Sequence, residues 1–267
     1  MALKTKNRTW LILALVLLLV LALGIFTLYS MRAQIAWDAL FHAAPEPTPE
    51  PTPVPTPQLT PSPNPTPTPL RPRTELLTLV NPWHGMAEGY EPELEQVTWD
   101  QEENQFVDVR CAEALLAMIA DCASAGNDPY ICSSYRTMAK QQFLFNNKIA
   151  RLVAEGVSPE EAPAIAAQSV AIPGTSEHQL GLAVDIIDLN YPYLNEEQET
   201  MPTQKWLMEH CWDYGFILRY PNGSSEITGI IYEPWHYRYV GPEAAAEIHE
   251  LGLTLEEYLD AFYEPLP

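Results

Sequence analysis

Apolar residues recur at helical spacing in several stretches of the chain, and short apolar runs separate these stretches. Residues 108–125 place apolar side chains every three or four positions and end before Gly126, which predicts a helix with a glycine stop. The apolar run 130–134 predicts a strand, and 138–155 predicts a second helix. From Ser158, the sequence Ser-Pro-Glu-Glu supplies a capping hydroxyl, a proline and a capping-box acid, which predicts a third helix.

The most apolar strand-like run follows these elements. Residues 180–189, LGLAVDIIDL, are rich in apolar and β-branched side chains, which predicts a buried strand that carries Asp185. Because helices and strands mix without regular alternation, we expect an α+β fold with a small antiparallel sheet. The remaining predicted elements are a helix over 203–214, strands over 216–219 and 227–240 with an Asn222-Gly223 turn between them, and two closing helices, the second capped by Thr254 and Glu257.

An uncharged apolar run of 19 residues, 10–28, lies near the N-terminus. A helix of this length spans a hydrocarbon core of ~30 Å at ~1.5 Å per residue. Three cations precede the run and only Arg32 closely follows it, so we expect residues 1–9 to be a basic cytoplasmic tail and 10–30 a transmembrane anchor. The alternative is a cleaved secretory signal, although the apolar region of such signals is usually only ~7–15 residues long.

Proline dominates the segment that follows the predicted anchor. Residues 45–72 hold half of the chain's 26 prolines, nearly one at every second position. Because proline fixes φ and removes amide donors, we expect an extended polyproline stalk that reaches roughly 85 Å. Residues 31–73 are therefore the predicted extracytoplasmic linker, and 74–267 are the predicted folded domain outside the membrane.

The predicted domain is strongly acidic. Residues 74–267 hold 8 Lys and Arg against 32 Asp and Glu, a net charge of −24. Nucleic acids bind through clustered cations, so a nucleic-acid partner is excluded. The chain has four cysteines without metal-type spacing, and Cys111 and Cys122 lie too far apart along one predicted helix to pair, which leaves crossed pairings or free thiols.

Two segments, TSEHQLGLAVDI and YEPWHYRYV, contain the candidate chemistry. A hydrolytic zinc site needs three protein ligands and an open position for water, and two histidines with one acid meet that need. His178, Asp185 and His236 are the candidate ligands. Taken singly, a buried histidine or aspartate is more often a hydrogen-bonded core residue than a ligand.

Asp185 favours the metal interpretation, because burying its charge in an apolar strand costs several kcal/mol unless a cation compensates. The sequence between Arg151 and Lys205 contains no Lys or Arg, and a metal is a sufficient cation. Glu233, three residues before the second histidine, can reach a water without being a ligand. In a regular strand this acid and that histidine would point to opposite faces, so we expect a bend at Pro234.

At these segments the chain resembles the VanY-like D-alanyl-D-alanine carboxypeptidases, zinc peptidases related to the VanX dipeptidases and, more distantly, to the hedgehog and lysostaphin folds. The resemblance extends over about residues 79–258 and includes LVNPWHGMAEGYEPEL, SSYRTMAKQ, SEHQLGLAVDI, GFILRY and EPWHYRYV. The order Ser-x-His-x6-Asp followed by Glu-x-x-His is specific in combination. It implies a hedgehog/DD-peptidase-like domain that binds one zinc ion per chain.

Carried over by position, the resemblance implies roles for single residues. It makes Glu233 the catalytic base and places Arg136 against the substrate, where a planar guanidinium suits a terminal carboxylate or a developing oxyanion. Gln141 and Ser176 would bind the substrate beside Arg136. Ser134 departs from the family pattern, in which glycine is commoner. The zinc ligands that the resemblance implies are His178, Asp185 and His236.

The activity that the resemblance implies is zinc-dependent removal of the terminal D-Ala from peptidoglycan stem peptides that end in D-Ala-D-Ala, at the outer face of the cell membrane. One alternative is a zinc D,D-dipeptidase or a wall endopeptidase of the same fold. A second is a non-catalytic zinc-containing module that binds the wall. A serine mechanism is disfavoured, because no serine lies three positions before a lysine and Lys-Thr-Gly does not occur.

Overall fold

The computed structural model describes residues 70–99 and 103–265. The predicted tail (1–9), the predicted anchor (10–30) and most of the predicted linker (31–73) lie outside these residues and stay predictions. Within the described residues, no helix is both long enough and apolar enough to cross a membrane.

Helices and strands are mixed along the described residues, as the sequence predicts. The α-helices there are α1 (Val109–Ser124), α2 (Met138–Ala154), α3 (Ala162–Ala166), α4 (Pro202–His210), α5 (Ser225–Thr228), α6 (Pro242–Leu251) and α7 (Leu255–Phe262). The β-strands are β1 (Leu94–Gln96), β2 (Phe106–Asp108), β3 (Pro129–Ser133), β4 (Ala183–Asp188), β5 (Phe216–Leu218) and β6 (His236–Tyr239). Short 3₁₀ helices cover Glu75–Leu77, Glu177–Leu180, Glu196–Thr200 and Cys211–Tyr214.

Four of these strands form one antiparallel sheet in the order β3-β4-β6-β5, and β1 pairs with β2 in a separate two-stranded sheet. Every neighbouring pair in the larger sheet is antiparallel. Strand β4 lies inside the sheet, and all six of its residues are buried. The predicted α+β fold with a small antiparallel sheet is therefore confirmed, and the predicted buried strand is confirmed over Ala183–Asp188.

Capping residues set the ends of the longest helices, close to where the sequence predicts them. The Asp108 carboxylate accepts a hydrogen bond from the backbone N–H of Arg110 at the start of α1. Thr254 and Glu257 form both hydrogen bonds of a capping box at the start of α7, as expected. Gly126 follows α1 with a φ of 89°, a conformation that glycine adopts at little cost.

The larger sheet has apolar clusters on both faces. Helix α1 packs on one face, where Leu115 and Met118 belong to one buried cluster with Ile186 of β4. Helices α6 and α7 supply a second buried cluster. The adjacent β5 residues Phe216 and Ile217 belong to different clusters, because successive side chains of a strand point to opposite faces. This packing fixes β4 and β6, which carry two of the candidate ligands.

Four of the predicted elements differ in extent. The strand predicted over 180–189 covers only Ala183–Asp188, and the helix predicted over 203–214 is α4 followed by the 3₁₀ helix Cys211–Tyr214. Residues 227–240 do not form one strand: 225–228 form the short helix α5, a turn follows, and β6 begins only at His236. Pro234 lacks the N–H that a ladder needs, which accounts for the late start. The third helix begins at Ala162, because the predicted contact between Ser158 and Glu161 closes only the turn before the helix. All four cysteines are free thiols, one of the two alternatives that the sequence left open.

Candidate active site

Antiparallel pairing of β4 and β6 places Asp185 directly opposite His236. Oδ1 of Asp185 lies 3.2 Å from Nδ1 of His236, and its Oδ2 lies 3.3 Å from Nε2 of His178. His178 lies on the 3₁₀ helix that precedes β4, and Gly181 ends that helix with a φ of 72°. The three candidate ligands therefore converge, with one donor atom from each within 4.8 Å of the others.

The orientation of His178 follows from a backbone contact. Its Nδ1 lies 2.8 Å from the carbonyl oxygen of Ser134, so this nitrogen carries the proton and donates it. Nε2 then presents its lone pair toward Asp185. Burial lowers the pKa of His178 to about 4, which keeps the imidazole neutral, as metal ligation requires. A backbone carbonyl makes this contact, so it does not depend on which side chain position 134 carries.

Glu177 contacts the other candidate histidine from behind. Its Oε2 lies 3.4 Å from Nε2 of His236, so Nδ1 faces Asp185. Its Oε1 accepts hydrogen bonds from Arg219 and Arg238, each at 2.7 Å. Burial alone would raise the pKa of Glu177, but the two guanidinium groups outweigh burial and hold it well below its usual range. This network was not predicted from the sequence. Its signal is a pair of fully buried arginines, Arg219 directly after β5 and Arg238 in β6, which require a buried acid.

Asp185 also has a cationic neighbour. Nη2 of Arg136 lies 2.8 Å from Oδ2 of Asp185. This arginine is distant from Asp185 in the sequence, but the pairing of β3 with β4 places Ser133 opposite Asp185 and brings in the arginine that follows β3. A metal is therefore not the only cation available to Asp185, and the lack of a Lys or Arg near it in the sequence does not by itself require one. The convergence of three donors, and not burial alone, is what supports a metal site.

The donor set suits zinc. Two imidazole nitrogens and one carboxylate are a common set for a catalytic zinc site. In the described residues, Oδ1 of Asp185 is buried and accepts no hydrogen bond. Burial disfavours charge on His236, but the neighbouring carboxylates of Asp185 and Glu177 outweigh burial and raise its pKa to about 9. The surroundings therefore favour a positive charge at the centre of the cluster.

Glu233 reaches the same point through a turn. The backbone N–H of His236 donates to the carbonyl oxygen of Glu233 at 3.2 Å, which closes a turn around Pro234 just before β6. Oε2 of Glu233 consequently lies 3.7 Å from Nδ1 of His236. The expected bend at Pro234 is confirmed. Burial raises the pKa of Glu233 to about 8, so this carboxyl binds a proton far more readily than an exposed glutamate does.

The other predicted substrate residues take two different positions. Arg136 donates to Oγ of Ser133 through Nε and Nη2, and its Nη1 lies 3.4 Å from Oε1 of Gln141. Nε2 of Gln141 donates to the carbonyl of Ala171 at 2.7 Å. Gln141 is fully buried and does not line the cleft, whereas Ser176 does. The geometry places Gln141 behind Arg136 and Ser176 beside the candidate ligands.

A cleft of about 820 Å³ opens over the candidate ligands, Glu233 and Arg136. Helix α2 forms one wall. Another part of the lining is largely apolar and includes Tyr220, Ile230 and Trp235. These apolar lining residues were not predicted, because they join the candidate ligands only in the fold. The cleft is large enough for an extended peptide several residues long.

Residues 104–242 match the protein family described as "VanY: D-alanyl-D-alanine carboxypeptidase". The D-alanyl-D-alanine carboxypeptidase of Enterococcus faecalis (strain ATCC 700802 / V583) is 43% identical over 185 residues, which are 69% of this chain and 65% of that protein. The chain thus spans slightly less than two thirds of that relative's length.

Three solved structures are also similar to this chain. A mutant of the vancomycin-resistance D,D-pentapeptidase VanY in complex with Zn(II) is 42% identical with a TM-score of 0.62, over 69% of this chain and 98% of the other. VanYB in complex with D-alanine-D-alanine has the same identity and TM-score over 69% and 97%. The LD-carboxypeptidase LdcB is 33% identical with a TM-score of 0.60, over 72% and 88%. The chain belongs to the VanY family of D-alanyl-D-alanine carboxypeptidases.

Proposed function

We propose that this protein is a zinc-dependent D-alanyl-D-alanine carboxypeptidase that removes the terminal D-Ala from peptidoglycan stem peptides. One observation carries the proposal: His178, Asp185 and His236 converge beneath a cleft, and the Glu233 carboxylate lies 3.7 Å from His236 without belonging to the triad. A purely structural metal site has no need for an acid at that position, which disfavours the non-catalytic alternative.

His178, Asp185 and His236 are the residues that would hold zinc. When bound there, zinc supplies a Lewis acid that polarises the scissile carbonyl and lowers the pKa of a water. Glu233 takes a proton from the attacking water and returns it to the leaving amine of D-Ala. A carboxyl whose burial raises its affinity for protons suits both steps of this transfer.

Arg136 is placed to bind negative charge on the substrate. Ser133 and Gln141 hold its guanidinium at the rim of the cluster, so the group is oriented before substrate arrives. From this position it can donate to a developing oxyanion or to the terminal carboxylate. Ser176 lines the same part of the cleft and can donate a further hydrogen bond to the peptide.

The experiment that tests the cut uses a stem pentapeptide ending in D-Ala-D-Ala and identifies the products by mass. Release of free D-Ala alone supports the proposal. Release of the dipeptide D-Ala-D-Ala would indicate a dipeptidase, and an internal cut would indicate an endopeptidase. A tetrapeptide with an L,D bond at its end serves as a second substrate, because LdcB, an LD-carboxypeptidase, is similar to this chain over 72% of this chain's length. Preference for the tetrapeptide would overturn the D,D specificity.

We also propose that the domain is held outside the cell membrane by the apolar segment 10–30 and the proline-rich linker 31–73. The supporting observations are the uncharged apolar run and the excess of cations before it. Protease added to intact cells that have lost their wall is expected to digest the domain, and the domain is expected to fractionate with membranes. A domain protected from protease in these cells would contradict this topology.

A further inference from the structure

The α2 wall of the cleft carries an unusual charge for this domain. Two acidic residues, Asp185 and Glu233, line the base of the cleft. Two cationic residues, Lys148 and Arg151, lie on the wall formed by α2. Lys148 is half-buried and Arg151 is exposed. A cationic wall is not what composition alone predicts, since residues 74–267 carry a net charge of −24.

Neither cation forms a side-chain hydrogen bond within the part of the chain that the structure describes. Within residues 70–99 and 103–265, no acidic side chain forms an ion pair with Lys148 or Arg151. Most other described cations do form one: Arg71, Arg110, Arg136, Lys140, Arg219 and Arg238. In a domain with four acids for every cation, two unpaired cations on one wall of a cleft are available for a ligand.

Helical geometry gives the axial separation of these cations from Gln141, the α2 residue that contacts Arg136 beside the candidate ligands. Gln141 touches Arg136, and the cleft-lining positions Leu144, Lys148 and Arg151 continue along the same face of α2. At ~1.5 Å per residue, Lys148 lies roughly 10 Å and Arg151 roughly 15 Å along the helix axis from Gln141. An extended peptide covers this length in about three to five residues at ~3.3 Å each.

Only one part of the substrate can extend that far. An exopeptidase that releases a single residue has one residue on the leaving side of the cut, so the acyl side must fill the rest of the cleft. We infer that Lys148 and Arg151 form a subsite for a free carboxylate carried by the acyl part of the peptide, about three to five residues before the scissile bond. This inference rests on the proposed function and specifies its substrate as an acidic stem peptide.

The test compares two stem pentapeptides that differ at one position, a D-isoglutamate with a free carboxylate or a D-isoglutamine with a carboxamide. We expect kcat/KM for D-Ala release to be about five- to tenfold higher for the free acid in low salt. The preference should shrink in 1 M salt, where the Debye length falls to about 3 Å. In the double variant Lys148→Met/Arg151→Met, kcat/KM for the free acid should fall to that for the carboxamide.

The control is Lys205→Met, because Lys205 is exposed on α4, forms no ion pair among the described residues and does not line the cleft. This variant should keep the full preference. Equal rates for the two peptides in the unaltered protein would overturn the inference. So would a double variant that loses activity on both peptides equally, since the cations would then act on a group that both peptides share.

A binding measurement separates this inference from the proposed function. Calorimetric titration of the zinc-loaded Glu233→Gln variant with each peptide reports the preference without turnover. Tighter binding of the free acid supports the subsite, and equal binding overturns it. If neither peptide releases D-Ala with the unaltered protein, the proposed function fails, and the titration still decides whether the carboxylate is recognised.

Discussion

Oε2 of Glu177 lies 3.4 Å from Nε2 of His236, whose other ring nitrogen faces Asp185. The acid thereby orients a candidate ligand from the side opposite the metal position. Partners of this kind fix the tautomer and the plane of a metal-binding imidazole, and losing one typically costs about 10- to 100-fold in metal affinity.

The first prediction follows from this contact. Glu177→Gln keeps the side-chain volume but removes the charge that Arg219 and Arg238 share with His236. Zinc affinity, measured by competition with a chromophoric chelator, is expected to fall about 10- to 100-fold. The matched control is Glu256→Gln, which removes another carboxylate bonded to Arg219 but does not contact the histidine. Equal losses in both variants would show a general effect on the fold.

The second prediction separates the roles of metal ligand and base. Glu233→Ala is expected to retain zinc and the folded state while kcat falls by about 10²–10⁴-fold, because the water and the leaving amine lose their proton acceptor and donor. Circular dichroism and metal analysis of the same preparation check the first two properties. Unchanged turnover in this variant would remove Glu233 from the mechanism.

The third prediction concerns Gln141, which touches Arg136 but does not line the cleft. Gln141→Ala should lower kcat/KM by about tenfold, because the guanidinium loses a partner that orients it. In an Arg136→Ala background the same change should have little further effect, as expected for two residues that act as a unit. Additive losses in the double variant would instead indicate that Gln141 binds substrate on its own.

The fourth prediction is about inhibitors. Chelation with EDTA is expected to abolish D-Ala release, and added zinc is expected to restore it. Saturating penicillin should leave the rate nearly unchanged, because the chain has no Ser-x-x-Lys or Lys-Thr-Gly segment that a β-lactam could acylate. Full activity after exhaustive chelation, or stoichiometric labelling by a fluorescent penicillin, would disprove the zinc mechanism.

The sequence by itself determined most of the helices and the identity of the candidate ligands. The capping residues Asp108 and Thr254 and the glycine stop at Gly126 act over a few residues, so their effects can be predicted locally. The spacing from His178 to Asp185 is also enough to predict that these two ligands lie together, because the 3₁₀ helix that carries His178 lies just before β4 in the chain.

Only the tertiary structure decided which partners surround those ligands. Arg136 reaches Asp185 because β3 pairs with β4, and Glu177 meets Arg219 and Arg238 because three separate segments converge behind His236. These contacts join residues that are dozens of positions apart, and hydrophobic periodicity carries no information about which distant charges will meet.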